Sequence, residues 1–94
     1  MITFFMYGSY SIDALEEVSP DRTKQAVTLI HELGGEVRSM YAMLGDDDIV
    51  LIVDFPDVTT ALKASVTLTD LTGIMLSTTP VVAIEEFDAM MEEL

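Results

Sequence analysis

The stretch Ile49–Val53 is an unbroken run of β-branched residues and leucine. A strand with one face in water alternates apolar and polar residues, whereas a continuous apolar run is typical of a central strand covered on both faces. The Gly-Asp-Asp-Asp sequence at residues 45–48 predicts a tight reversal before it, and Pro56 ends it. The chain therefore contains a β-sheet that needs cover on two sides.

Three further strands are predicted around this run. Glu36–Leu44 alternates in hydropathy and forms a hairpin with it, and Ile2–Tyr10 is rich in β-favouring residues. A last strand comprises Ile74–Ser77 and Val81–Ile84, with Pro80 between them indicating a sheet edge or a bulge. Period-two alternation predicts the faces: Ile2, Phe4 and Met6 opposite Phe5 and Tyr7 in the first strand, and Val37, Ser39, Tyr41 and Met43 opposite Glu36, Arg38, Met40, Ala42 and Leu44 in the second.

Two helices are predicted between the strands. After a loop over Ser11–Val18, the Ser-Pro-Asp sequence at residues 19–21 is a helix start, and Gly34-Gly35 supplies its stop. Asp57 caps the second helix, which continues to Gly73. Buried stripes are predicted at Ala26, Leu29, Ile30 and Leu33 in the first helix and at Val58, Ala61, Leu62, Ser65, Val66 and Leu68 in the second.

The order strand, helix, strand, strand, helix, strand predicts an α+β, ferredoxin-like βαββαβ fold, with a four-stranded antiparallel sheet and both helices on one face. We assign it to residues 1–87 and describe residues 88–94 as an acidic tail. Phe87, Met90 and Met91 near that tail either pack back, contact a neighbour or are disordered. Half of the residues are apolar, so we expect a second copy to cover the bare face of the sheet.

The charge of the chain restricts its partners. Seventeen acids and four bases give a net charge of −13, which disfavours nucleic acid and anionic membranes as partners. There is no cysteine, and this excludes disulfides, thiolate metal sites and cysteine nucleophiles. The apolar run at the N-terminus is short and lacks a preceding base, so we expect a cytoplasmic protein.

The chain resembles the GYD-domain family of small ferredoxin-like proteins over nearly its whole length. The residues that carry the resemblance are Ser19-Pro20-Asp21-Arg22, Leu33-Gly34-Gly35, Tyr41, Leu44-Gly45, Asp48, Ile49–Val53 and Pro56-Asp57. Asp47 occupies the position of the tyrosine in the family's glycine and tyrosine-aspartate signature. The resemblance implies pairing of two sheets into a dimeric α/β barrel and implies no particular activity.

Five residues are candidates for a ligand site. Tyr7, Ser39, Tyr41 and Arg38 lie on the first two strands, where phenols and a hydroxyl can orient a ligand in an apolar pocket, although both rings also suit interface packing. His31 is the only histidine; it can act as a base, and it also suits a helix C-terminus as a cation. We expect Arg38 to pair with Glu36 or a neighbouring subunit.

No metal or cofactor is predicted. Asp46, Asp47 and Asp48 are adjacent and lack the alternating spacing of a calcium loop, so they are interpreted as turn residues. The leading hypothesis is a homo-oligomeric binding or scaffolding module with a small apolar pocket. One alternative is a cofactor-independent, oxygenase-like enzyme acting on an aromatic or quinone-like substrate, with His31 or a tyrosine as proton acceptor. The other is a purely structural assembly protein without a pocket.

Overall fold

A computed structural model covering residues 1–94 shows the predicted α+β fold, with a four-stranded antiparallel sheet of order β2-β3-β1-β4. The predicted strands and the two main helices are all present. Two short helices were not predicted, one inside the expected loop over Ser11–Val18 and one at the C-terminal end of the chain. The elements are β1 (Ile2–Ser9), α1 (Ile12–Glu16), α2 (Pro20–Glu32), β2 (Glu36–Ala42), β3 (Ile49–Phe55), α3 (Val58–Thr72), β4 (Met75–Val81) and α4 (Ile84–Glu92).

The hydrophobic core lies between one face of the sheet and the helices α2 and α3. Phe4 and Phe55 meet edge to face on adjacent strands, with ring centroids 5.8 Å apart. Side chains from both helices close over them, and the fully enclosed members are Phe4, Met6, Ile30, Val53, Phe55, Ala61, Ala64 and Leu68. One face of the sheet is therefore sealed by the chain itself.

The helix caps match the sequence. The Ser19 hydroxyl accepts a hydrogen bond from the Arg22 amide at 3.1 Å, and the Asp57 carboxylate accepts one from the Thr60 amide at 2.7 Å. Gly34 has φ of 87°, the left-handed conformation that ends α2. The segment expected to be a loop over Ser11–Val18 contains α1 instead, because the Ser11 hydroxyl accepts from the Ala14 amide and starts a helix of only five residues.

The predicted faces of β2 are wrong beyond Val37. A β-bulge between Val37 and Ser39 inserts one extra residue opposite β3, and this inverts the alternation after it. Ser39 and Tyr41 therefore point away from the helices, on the same side as Arg38, while Met40 packs against the core. A two-residue period cannot anticipate such an insertion.

The predicted buried stripe of α3 is also wrong in part. Ala61, Ser65 and Leu68 are buried as expected, but Val58, Leu62 and Val66 are exposed. The buried positions are Ala61, Ala64, Ser65, Leu68 and Thr72, a stripe of mostly small residues. Small side chains let α3 approach the sheet closely, so the helix turns its larger apolar residues outward.

The last strand runs through Pro80 without interruption and ends at Val81, so the predicted second piece is wrong beyond that residue. β4 is an edge strand beside β1, as Pro80 indicated. Val82 and Ala83 link it to α4, and the expected boundary after residue 87 falls inside this helix. No helix combines the length and the apolar character that crossing a membrane requires.

Candidate functional site

The side of the sheet that faces away from α2 and α3 has no cover in the structure, and we call it the open face. Because Phe4 and Met6 point into the core, their neighbours in β1 point outward. The strand register arranges the open face in three rows that run across the sheet. They are Glu36–Asp54–Thr3–Val81, Ser39–Ile52–Phe5–Thr79 and Tyr41–Val50–Tyr7–Ser77.

The centre of the open face is apolar and aromatic. Phe5 and Ile52 are adjacent on β1 and β3 and remain partly exposed. The rings of Phe5 and Tyr7 are tilted against each other with centroids 6.2 Å apart. Tyr41 stands at the β2 edge with 59% of its surface exposed. Apolar rings in the middle and hydroxyl groups at the sides form a surface with both packing and hydrogen-bonding groups.

One end of the open face holds a hydrogen-bonded charge network centred on Asp54. This carboxylate is buried, and it accepts 2.6 Å hydrogen bonds from the Thr3 hydroxyl and from Nε of Arg38. The hydrogen bond from Thr3, followed by that from Arg38, lowers the pKa of Asp54 below its usual value. Asp54 is therefore ionised at neutral pH, with both of its oxygens occupied.

Arg38 carries the only basic side chain on the open face. Its bond to Asp54 raises the pKa of the guanidinium, and Glu36 contributes a smaller electrostatic effect in the same direction. Within the chain Arg38 forms a hydrogen bond only through Nε, and its two terminal nitrogens form none. Within the chain Arg38 pairs with Asp54 and not with Glu36, so that alternative of the prediction is wrong, while pairing with a neighbouring subunit stays a prediction. Arg22, Lys24 and Lys63 lie on α2 and α3.

A cleft of about 650 Å³ lies over this end of the open face. Thr3, Phe5 and Ile52 contribute to its lining, with Arg38 among the polar groups. Ala83 and Glu86, from the linker and the first turn of α4, also line it. The cleft is open to solvent, so enclosing a ligand there requires a second surface.

Four of the five predicted site residues, Tyr7, Ser39, Tyr41 and Arg38, lie on the open face. Only Arg38 lines the cleft; Tyr7, Ser39 and Tyr41 lie outside it, so the predicted pocket around these three is not formed within one chain. His31 does not, because it is exposed on α2 in the helix layer. Sequence reasoning missed Asp54, which organises the charged end of the site. A signal was present: Asp54 is the one charged residue in β3, whose other residues are all apolar.

Asp48 has the structural role expected of a turn residue. Its carboxylate accepts a hydrogen bond from the Tyr10 amide at 2.9 Å. Its backbone joins the β2–β3 turn to β1, because its amide donates to the Gly8 carbonyl and its carbonyl accepts from the Met43 amide, each at 2.8 Å. No three His, Cys, Asp or Glu side chains in the protein are grouped closely enough to hold a metal ion.

A second, much smaller cavity of about 60 Å³ lies between the sheet and the helices. It is lined mainly by apolar core residues, with Tyr10 and Arg22 contributing polar groups. The Arg22 guanidinium lies 5.9 Å from the centre of the Tyr10 ring and donates to the Ala14 carbonyl. A volume equal to that of about two waters is too small for an organic ligand.

Comparison with known proteins identifies the family and the fold. The family model described as GYD domain matches residues 2–91. No curated protein sequence matches the chain. The crystal structure of the Mycobacterium tuberculosis leucine response regulatory protein (LrpA) is similar with a TM-score of 0.58 and 13% identity, covering 87% of this chain and 51% of that one. The structure of a glycine-to-threonine mutant of Rv3291c is similar with a TM-score of 0.59 and 13% identity. The match covers 88% of this chain and 51% of that one.

The chain spans about half the length of each of these two solved chains. At 13% identity, the likeness concerns the ferredoxin-like fold alone. The matched half shares the arrangement of strands and helices described above. The open face and its cleft are properties of this chain's own residues.

Proposed function

The chain belongs to the GYD-domain family, and from this premise we propose that it is a homo-oligomeric binding module, in which a second copy covers the open face and encloses a small-molecule pocket. The observation that carries the proposal is the composition of that face. Phe5, Ile52 and Tyr7 form an apolar centre that the chain itself leaves partly exposed. Hydroxyl groups and one positioned guanidinium surround it.

The area of exposed surface supports pairing with a second copy. The chain exposes 6323 Å², whereas a compact monomer of its 10.3 kDa mass exposes about 5,350 Å² by the usual scaling. The excess is about 1,000 Å², and a standard interface buries about 800 Å² on each partner. Pairing through the open face would bring the exposed area to the level of ordinary folded proteins. Two paired sheets correspond to the barrel that the family resemblance implies.

The cleft supports a ligand between the copies. Its volume of about 650 Å³ falls within the range of about 300 to 1,000 Å³ that small-molecule sites occupy. Thr3 and Arg38 are polar groups of the cleft, and the terminal nitrogens of Arg38 are free to donate. Tyr7, Ser39 and Tyr41 lie outside the cleft, where they offer hydroxyl groups to a ligand that extends along the open face. The ligand class that suits this surface has an apolar or aromatic body and at least one hydrogen-bond acceptor. One structural neighbour is named a leucine response regulatory protein, which agrees with small-molecule sensing on this fold.

The alternatives differ in what the open face does. A cofactor-independent enzyme would take its proton acceptor from Tyr7 or Tyr41, because His31 is in the helix layer. A purely structural protein would pack the two faces together without a cavity. The expected cytoplasmic location stays a prediction.

Light scattering on matched variants tests the pairing. We expect the wild-type chain to form a dimer or a larger assembly at micromolar concentration. Ile52→Glu places a charge at the centre of the open face and should give a folded monomer, because a buried unpaired carboxylate opposes association. Thr28→Glu adds the same charge to an exposed position of α2 and should leave the assembly intact. A wild-type monomer with native circular dichroism would refute the pairing.

Thermal shift against a panel of small aromatic and aliphatic acids, amides and quinones tests the pocket. A ligand at about 100 times its Kd stabilises the native state by about 2.7 kcal/mol. Arg38→Gln should reduce the shift for a ligand in the cleft, and Tyr7→Phe, Ser39→Ala and Tyr41→Phe should reduce it for a ligand that extends along the open face. Thr28→Ala should change neither. A hit that is chemically converted on incubation supports the enzyme, and the absence of any hit with a solidly packed interface supports pure assembly.

A further inference from the structure

The helix α4 presents an apolar stripe that nothing in its own chain covers. None of its nine residues is buried, and Phe87 has 45% of its surface exposed. At 100° per residue the apolar side chains fall within about 120° of the helix circumference, and the acids occupy the other side. The stripe consists of Ile84, Phe87, Met90 and Met91, and the acidic side of Glu85, Glu86, Asp88 and Glu92.

Hardly any contact joins this helix to the other helices and strands of the domain, and the domain as a whole is elongated. The radius of gyration is 14.3 Å, whereas a compact domain of this length has about 12.4 Å. The longest dimension of the chain is 49 Å and the shortest is 18 Å. A free amphipathic helix of nine residues is marginal in water, so α4 needs a surface against which to pack.

The position of the first turn shows on which side α4 leaves the domain. Ala83 and Glu86 line the cleft over the open face together with Phe5 and Arg38. Any body that covers the open face therefore comes next to α4. A second copy that covers the open face therefore also brings a surface within reach of α4.

We propose that α4 is an arm that docks its apolar stripe on the second copy covering the open face, and that each copy receives the arm of the other. This inference rests on the proposed pairing of two copies and adds the segment that secures it. A two-fold axis makes the exchange reciprocal, since a contact made by one copy is repeated by its partner. The exposed surface of the chain is about 1,000 Å² above that of a compact monomer, and this excess is shared between the open face and the stripe.

A lipid surface is a poor alternative occupant. Helices that lie in a membrane interface carry lysine and arginine on their polar side, where they meet anionic headgroups. The polar side of α4 carries acids and no base. It would be repelled by such a surface, whereas its acids remain in water when the stripe docks on protein.

The test uses two variants that add the same charge to opposite sides of α4. Phe87→Glu disrupts the stripe, and Ala89→Glu lies on the acidic side as the control. Sedimentation equilibrium measures the dimer Kd, and amide hydrogen exchange measures protection of α4. We expect Phe87→Glu to raise the dimer Kd about tenfold or more and to abolish the protection of α4. Amide exchange in the sheet should stay as in the wild type. Ala89→Glu should match the wild type in both measurements.

The outcomes separate this inference from the pairing on which it rests. A wild-type dimer whose α4 exchanges freely, or a dimer that Phe87→Glu does not weaken, overturns the arm and leaves the pairing of open faces intact. Protection of α4 that persists unchanged when the protein is diluted to a monomer overturns it too, because the helix then packs on its own chain. A wild-type monomer at every concentration overturns both.

Discussion

Arg38 and Asp54 form the single ion pair of the protein, with Nε of Arg38 donating to Oδ2 of Asp54 across 2.6 Å. The pair joins β2 to β3 at the bulge, on the open face. Asp54 is buried, while the Arg38 side chain is 64% exposed. The carboxylate is thus the fixed member of the pair, and it positions the guanidinium.

Asp54→Asn should destabilise the fold. The substitution keeps the size of the side chain but removes its charge. The Thr3 hydroxyl and Arg38 both donate hydrogen bonds to that charged carboxylate in the wild type. The loss of two charge-assisted hydrogen bonds to a buried carboxylate should cost about 1 to 2 kcal/mol of unfolding free energy. The cost is not larger because Arg38 is exposed and solvent screens its charge. Urea unfolding at one protein concentration measures it. Glu36→Gln, an exposed acid in the same row, should stay within about 0.5 kcal/mol of the wild type.

The cost of Asp54→Asn should depend on pH. The pKa of Asp54 is lowered in the folded protein, first by the Thr3 hydroxyl and then by Arg38. A carboxyl with a lowered folded pKa stabilises the protein above its unfolded pKa of about 3.9, and this stabilisation is lost as pH falls through the folded value. The difference in unfolding free energy between the wild type and Asp54→Asn should have its full value at about pH 6 and be smaller at about pH 3. A constant difference over that range would contradict the assignment.

The open face illustrates what the sequence could and could not predict. Alternation in β1 correctly separated Phe4 and Met6 from Phe5 and Tyr7, because that strand pairs regularly on both sides. The same rule failed in β2, because the bulge at Arg38 adds a residue that leaves no mark in hydropathy. Pairing between strands, which local sequence does not encode, decides which side chains reach the site.

Gly8 in β1 leaves no room for a side chain, and Gly8→Ala should be destabilising. A Cβ at this position would lie 2.7 Å from Cγ2 of Ile74 and 2.8 Å from Cγ2 of Ile49, both branched carbons close to the backbone. Overpacking of this kind costs about 1 to 3 kcal/mol. Ser9→Ala, the next position on the strand, points to the open face and serves as control. Equal denaturation midpoints for both variants would show that the core adjusts around the added methyl.

Two leucines of α3 provide the sharpest contrast between the predicted and observed helix faces. The sequence pattern placed both Leu62 and Leu68 in the buried stripe, yet Leu68 is 2% exposed and Leu62 is 63% exposed. The periodicity of the sequence could not predict which face of α3 is buried, because apolar residues lie around much of the helix. Only the fit of the small residues against the sheet selects the inner face.

Leu68→Ala should therefore cost about 2 to 4 kcal/mol of unfolding free energy, since it leaves a cavity beside Ala61 and Ala64 in the core. Leu62→Ala makes the same chemical change on the outer face and should change stability by no more than about 0.5 kcal/mol. Both values come from urea unfolding at a protein concentration where the assembly state is the same. Similar losses for the two leucines would mean that α3 is rotated about its axis relative to the arrangement described, with Leu62 facing the sheet.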